Sequence, residues 1–316
     1  MSEHFLVTGV AGFIGSQLAE ALIAKGGRVT GVDCFTDYYA RAIKEANLAV
    51  LLRSTSFELL EGDVAELALD PLVQRSRAVF HLAAQAGVRA SWGTEFSCYT
   101  HHNVLATQHV LEACKQAAAL HRLVIASSSS VYGDAERLPV REDHPTRPIS
   151  PYGVTKLACE HLARLYFQAF GVPVVCLRYF TVYGPRQRPD MAFSKFIRAL
   201  HEDLPLPVFG DGDQTRDFTF VTDAIAATVS AAERGRPGTV YNIGGGSRVS
   251  LRRVIETLAG IAGRVANVER RDRQRGDVRH TYADCALARE ELAYSPAVTV
   301  EEGLSRQVAW FRSTGR

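Results

Sequence analysis

Near the start of the chain, Thr8-Gly9-Val10-Ala11-Gly12-Phe13-Ile14-Gly15 sets three glycines at every third position. The run lies between a short apolar stretch, 5–9, and a helical pattern, 13–25, with Ile14, Leu18, Ala21 and Leu22 on one face. Glycines at such a junction permit a tight turn and let backbone N–H groups approach a pyrophosphate. The N-terminus of the next helix adds partial positive charge. An ordinary strand-to-helix turn also accounts for a lone glycine trio. Its place between the first strand and the first helix favours dinucleotide binding by Gly9, Gly12, Phe13, Ile14 and Gly15.

The alternation continues. Strand-like runs at 28–33, 57–63, 78–84, 123–128, 172–179 and 239–244 are separated by helical patterns that include 38–53, 67–75 and 99–119. Such alternation implies βαβ units and a parallel sheet. The unbroken apolar run Val174-Val175-Cys176-Leu177 fits a strand buried on both faces. The expected fold is α/β, a Rossmann-type doubly wound parallel sheet. After Tyr179 the rhythm breaks at Gly184, Pro185, Pro189, Pro205, Pro207, Gly210 and Gly212, and arginine-rich helices follow Ser247. This predicts a nucleotide-binding domain of 1–180 plus a return segment of about 218–246. A smaller α/β lobe, 181–217 and 247–316, is expected to hold the substrate.

Composition removes several classes of function. A net charge of +2 over 316 residues provides no basic field for nucleic acid. No stretch approaches the ~18 apolar residues that a membrane span needs, and no targeting segment is visible. The six cysteines, at 34, 98, 114, 159, 176 and 285, form no CxxC pair. They read as small core hydrophobes in a reducing, cytoplasmic setting. His101 and His102 are adjacent and no HExxH occurs, so no metal is expected.

Asp33 closes the second strand, about 18 residues beyond Gly15. A carboxylate there accepts hydrogen bonds from an adenosine ribose diol and repels a 2′-phosphate, which favours NAD over NADP. Asp63-Val64 closes the third strand and suits adenine, although turn chemistry explains Asp63 as well. Leu82-Ala83-Ala84 offers small side chains where a cofactor would lie against the backbone.

Ser150-Pro151-Tyr152-Gly153-Val154-Thr155-Lys156 opens a helix, with Tyr152 and Lys156 four apart on one face. A phenol ionises near pH 10, so a tyrosine base at neutrality needs about 4 kcal/mol of help. One cation ~4 Å away at an effective dielectric of ~20 supplies about that much. YxxxK alone is a common accident; downstream of the glycine turn it points to proton transfer. Between them, Ser127-Ser128-Ser129-Ser130 ends the fifth strand, where open α/β sheets bind ligands. A serine hydroxyl there would hold the reacting alcohol. Ser128 is the first choice, with Ser129 and Ser130 beside it.

Together these residues resemble the extended short-chain dehydrogenase/reductase family over essentially the whole chain. The likeness is specific at TGxxGFIG, at His81-Leu82-Ala83-Ala84-Gln85-Ala86-Gly87-Val88-Arg89, at SSSSVYG and at YGVTK. HLAAQAGVR and Arg178-Tyr179-Phe180-Thr181-Val182-Tyr183-Gly184-Pro185-Arg186-Gln187-Arg188-Pro189-Asp190-Met191 resemble the UDP-glucuronate 4-epimerase subgroup. The resemblance implies C4 epimerisation of a UDP-sugar through a 4-keto intermediate, with NAD retained and a homodimer formed. It adds Gln85 and Tyr179 to the cofactor contacts. It assigns the diphosphate to Arg216, the ribose and phosphate to Gln274 and Asp277, and the sugar carboxylate to Arg89, Thr181 and Arg188. Val208 and Phe209 fall near uracil in the family, and a core strand explains them equally well.

Departures narrow the reaction. Dehydratases of the family carry an Asp-Glu pair before VYG and decarboxylases a glutamate, where this chain has Ser129 and Ser130. Galactose epimerases carry asparagine at Thr181. The rival readings are a UDP-glucose or UDP-N-acetylhexosamine 4-epimerase, a simple alcohol dehydrogenase, and a non-catalytic NAD(H) sensor. A sensor has no need of a proton relay.

Overall fold

The computed structural model describes residues 2–315. Six strands, β1 (His4–Thr8), β2 (Arg28–Asp33), β3 (Phe57–Glu61), β4 (Ala78–His81), β5 (Arg122–Ser128) and β6 (Val174–Tyr179), arise in the first part. Short strands β7 (Val182–Tyr183), β8 (Leu206–Phe209), β9 (Thr215–Asp217) and β10 (Thr219–Phe220) precede β11 (Val240–Ile243), and β12 (Arg248–Ser250) and β13 (Val268–Arg271) follow it. Seven strands make one parallel sheet in the order β11-β6-β5-β4-β1-β2-β3.

Strand periodicity builds two cores. Val7, Phe80, Val124 and Val175 enter a core on one face, with Leu18 and Leu22 of helix Phe13–Ala24 and Ala224 and Val229 of helix Val221–Arg234. Their neighbours Leu6, Val79, Leu123 and Val174 enter the other, with Val110 of helix Ala106–Cys114 and Ala163 and Tyr166 of helix Pro151–Phe170. Side chains alternate along a strand, so an apolar run of this kind is stable only between two helical layers. The fold is the expected doubly wound α/β sheet.

After β6 the chain leaves the sheet and returns for β11 beside β6. The remaining segments carry β8 paired with β13, β9 paired with β12, and helices Ala192–His201, Leu251–Ala262 and Val300–Thr314. Tyr183, Phe193, Phe218 and Phe220 pack edge-on and join these helices to the core of the sheet. No helix among the described residues is long and apolar enough to cross a membrane.

Several boundaries differ from the sequence expectations. β3 ends at Glu61 and β4 at His81, because the strand ladder ends at the Asp33–Glu61 and Thr8–His81 pairs. The helix expected at 38–53 shrinks to Arg41–Leu48 followed by a 3₁₀ turn. That expected at 99–119 runs from Phe96 to Cys114 and is interrupted by a π-helical turn, Thr100–Leu105.

Candidate active site

β1 lies between β2 and β4, so the chain's crossovers diverge on either side of it. At such a switch point the strand ends open a crevice. A cavity of about 390 Å³ occupies it, and among its lining residues are Gly9, Gly12, Phe13, Ile14, Gly15, Asp33, Asp63, Val64, Leu82, Ala83, Ala84 and Gln85. Gly9 adopts a left-handed φ of 70°. A Cβ on Gly15 would fall 2.2 Å from the Gly9 carbonyl oxygen, so only glycine lets the helix sit directly on the turn. Gly12 caps the helix without a side chain, leaving its first N–H groups open toward the cleft. The residues fit a dinucleotide: a glycine cradle, a helix N-terminus and a carboxylate at the next strand end.

That carboxylate is held. Asp33 accepts N–H bonds from Ala11 at 3.0 Å and Phe35 at 2.9 Å, and Phe35 takes an uncommon left-handed φ of 50°. Asp63 accepts from the Ala65 N–H and contacts His101 at 2.9 Å. Burial opposes its ionisation, but these bonds keep its pKa below the usual carboxylate value. Beneath the cleft floor, His81 bridges Thr8 at 2.8 Å and Thr107 at 3.1 Å, and burial pushes its pKa down to about 3.

Tyr152 and Lys156 also line the cavity, with Ser128, Ser129 and Ser130. Their helix starts cleanly: the Ser150 hydroxyl accepts the Gly153 N–H at 3.1 Å and Pro151 takes the first turn. The buried Lys156 ammonium donates to the Ala126 carbonyl at 2.8 Å, which fixes the cation at the end of β5. The Tyr99 ring meets Tyr152 edge-on at 6.3 Å. Ser128 donates to Ser130 at 3.1 Å. Ser127 also borders the cavity, but its hydroxyl is committed elsewhere, donating at 2.5 Å to Glu160, which is buried in a bidentate pair with Arg178. Three hydroxyls, a phenol and a cation thus face one space, an arrangement suited to moving a proton on a bound alcohol.

The expected substrate residues divide. Tyr179, Thr181 and Arg188 line the same cavity. Tyr179 is nearly buried, its hydroxyl spent on Thr228 at 2.6 Å. Arg188 is held in a fork by Asp190, two bonds of 2.9 Å; burial works against its charge, yet the fork keeps its pKa above the ordinary guanidinium value. Arg89, Phe209 and Asp277 meet elsewhere: Arg89 pairs with Asp277 at 2.6 Å and stacks on Phe209 at 4.1 Å. Gln274 lines a separate recess with Arg89, Trp92, Arg273 and Arg275. Arg216 donates to the carbonyls of Thr215, Val278 and Arg279. Val208, 3% exposed, points into the core, while Phe209 on the opposite face of β8 stays accessible.

Sequence reasoning missed Tyr38, Lys44 and Cys34, which also line the cavity. Tyr38 donates to Asp190 at 3.3 Å, and Lys44 donates to the Thr36 carbonyl at 2.6 Å. A lone lysine on the helix after β2 was the only available signal. All six cysteines are free, but Cys34 and Cys98 are half-exposed rather than core residues: Cys34 follows β2 and lines the cleft, and Cys98 sits in the short helix Phe96–Tyr99.

Fold and site together define a dinucleotide-dependent enzyme with a proton-transfer group at the strand ends. Residues 5–244 match the NAD dependent epimerase/dehydratase family, and the chain belongs to it. It is 42% identical over 98% of both chains to YtcB of Bacillus subtilis, described as an uncharacterized UDP-glucose epimerase. A UDP-glucuronate 4-epimerase of Thermodesulfobacterium geofontis is 38% identical over 97% of this chain and 95% of its own. The crystal structure of UDP-glucuronic acid 4-epimerase from Bacillus cereus with UDP-glucuronic acid and NAD superposes with a TM-score of 0.95 at 43% identity, covering 98% of this chain and 99% of that one.

Proposed function

We propose that this chain interconverts UDP-glucuronate and UDP-galacturonate with a retained NAD. The observation that carries the reading is the joining of Tyr152, Lys156 and three serines with Thr181 and Arg188 in one cleft that holds no acid at Ser129 or Ser130. NAD, when bound, accepts and returns a hydride. Gly9, Gly12, Phe13, Ile14 and Gly15 receive its pyrophosphate, Asp33 its adenosine ribose, Asp63 and Val64 its adenine, and Leu82 to Gln85 with Tyr179 flank the rest. Tyr152 takes the O4 proton of the sugar and later gives it back, Lys156 stabilises the phenolate, and Ser128 holds the reacting oxygen.

Oxidation at C4 of a glucuronate creates a β-keto acid prone to lose CO₂. Loss requires the C5–C6 bond to align with the carbonyl π system. Thr181 and Arg188 pin the carboxylate so that this bond stays near the ring plane, and the serines offer no strong acid to protonate an enolate. Arg89, Phe209, Arg216, Gln274 and Asp277 receive the UDP portion, with Val208 behind them. Residues 1–180 and 218–246 form the NAD-binding domain, and 181–217 and 247–316 the UDP-sugar lobe.

YtcB's description supports a second reading, UDP-glucose as substrate. Leu105, Val154 and Leu165 are exposed on the helices beside the cleft, apolar side chains that pairing two copies in a homodimer would cover. Free cysteines fit a cytoplasmic setting. NMR of products from UDP-glucuronate, UDP-glucose and UDP-xylose, supplied separately, tests the assignment. UDP-galacturonate from the first, with little turnover of the others, is expected; faster turnover of UDP-glucose overturns it.

A further inference from the structure

Cys34 follows β2, Asp63 follows β3 and His102 lies in the π-helical turn, 29 and 39 residues apart in sequence. Nothing in that spacing signals a metal. The fold nevertheless brings one ligand atom from each within 4.8 Å of the others. All three are half-exposed and line the cavity, so a solute can reach them.

The π-helical turn carries the argument further. Successive residues on an α-helix project about 100° apart, so two adjacent histidines do not ordinarily address one group. Here both do. His101 Nε2 lies 2.9 Å and His102 Nδ1 3.7 Å from the same Asp63 oxygen, with the two rings edge-on at 4.8 Å. Such turns concentrate at functional sites. The second Asp63 oxygen accepts the Ala65 N–H at 2.8 Å, which fixes the carboxylate's orientation.

We propose that Cys34, Asp63 and His102 bind a zinc-class divalent cation, with His101 orienting the carboxylate, and that a cation there excludes NAD. Thiolate, imidazole and carboxylate are the donor set that zinc prefers, and three protein ligands leave a fourth position for water. Tetrahedral bonds of 2.0–2.3 Å place donors roughly 3.5 Å apart, so closure asks for about 1 Å of side-chain movement. Binding releases the Cys34 proton to solvent. The exclusion, unlike the site itself, rests on the reading above that Asp33 and Asp63 receive the adenosine end.

The test uses the full chain stripped of cofactor. Zinc is titrated against a chromophoric chelator, and cobalt(II) reports thiolate ligation through its charge-transfer absorption. One zinc per chain is expected, with the cobalt–thiolate band abolished in Cys34→Ser and zinc affinity lowered at least about ten-fold in Cys34→Ser and His102→Ala. Zinc should raise the apparent Kd for NAD in wild type and not in Cys34→Ser. Uptake that both variants retain at full affinity overturns the site. Zinc bound through these residues with NAD affinity unmoved overturns the exclusion alone. Failure of wild type to bind NAD in zinc-free buffer counts against the reading of the cleft, and the zinc stoichiometry still judges the site.

Discussion

The two halves of the cleft are built differently. The dinucleotide half is made of backbone: the Gly9–Gly15 turn, the open start of helix Phe13–Ala24 and the ends of β1 to β4. Its strand-end carboxylate Asp33 is fixed by two main-chain N–H groups. The region proposed for the substrate is made of side chains from distant segments, of which Thr181 and Arg188 share the dinucleotide cavity and Arg89 and Gln274 line a separate recess, and its cations already have partners. Arg188 is forked by Asp190, Arg89 by Asp277, and Arg216 is spread over three carbonyls. A backbone cradle is ready for its ligand. A side-chain cradle of paired ions must exchange partners to receive an anion, which makes it selective and more easily altered.

Mutations separate the two. The largest effect falls where the halves meet: Tyr152→Phe removes the phenol with little volume, and turnover should fall about a thousand-fold or more while NAD stays bound. Steady-state rates with cofactor content after denaturation check this. A variant retaining more than about a tenth of the wild-type rate, a loss under ~1.4 kcal/mol, would remove Tyr152 as the base.

Thr181→Ala is the next largest and acts on the substrate half alone. Losing a hydrogen bond to a charged group should weaken UDP-glucuronate binding by about 1–3 kcal/mol and raise the fraction decarboxylated, with NAD affinity unaffected. Mass spectrometry of UDP-galacturonate and the UDP-4-keto-pentose measures both outcomes. An unchanged KM and product ratio would take Thr181 out of the site.

Arg89→Ala should show the smallest effect on the fold. Its pair with Asp277 is substantially exposed, so stability should change by no more than about 1 kcal/mol in a denaturant titration. KM for the UDP-sugar should rise and NAD binding should not. A similar loss for both ligands would erase the distinction between the halves.

The same distinction decided what was legible in the sequence. Where backbone does the binding, the residues are contiguous and report their own geometry; the glycine turn, the strand-end Asp33 and the Tyr152/Lys156 helix start could be read directly. Unbroken apolar runs likewise gave away the sheet, since successive positions such as Val174 and Val175 had to be apolar for two opposite cores. The Asp277 partner of Arg89 was invisible, because pairing across 188 residues exists only after folding. Lys44 and Tyr38 carried no spacing signal. Ser127 was one of four equivalent letters until Glu160 was seen to claim it.

Isotopic labelling tests the central claim, that one cleft removes and returns the same hydride, most directly. UDP-glucuronate deuterated at C4 is converted by the purified protein without added NAD, and the product is analysed by NMR. Transient oxidation with return of the hydride predicts UDP-galacturonate that keeps its deuterium at C4, with no NADH released to solution. Loss of the label to solvent, or its accumulation on free cofactor, would contradict the account.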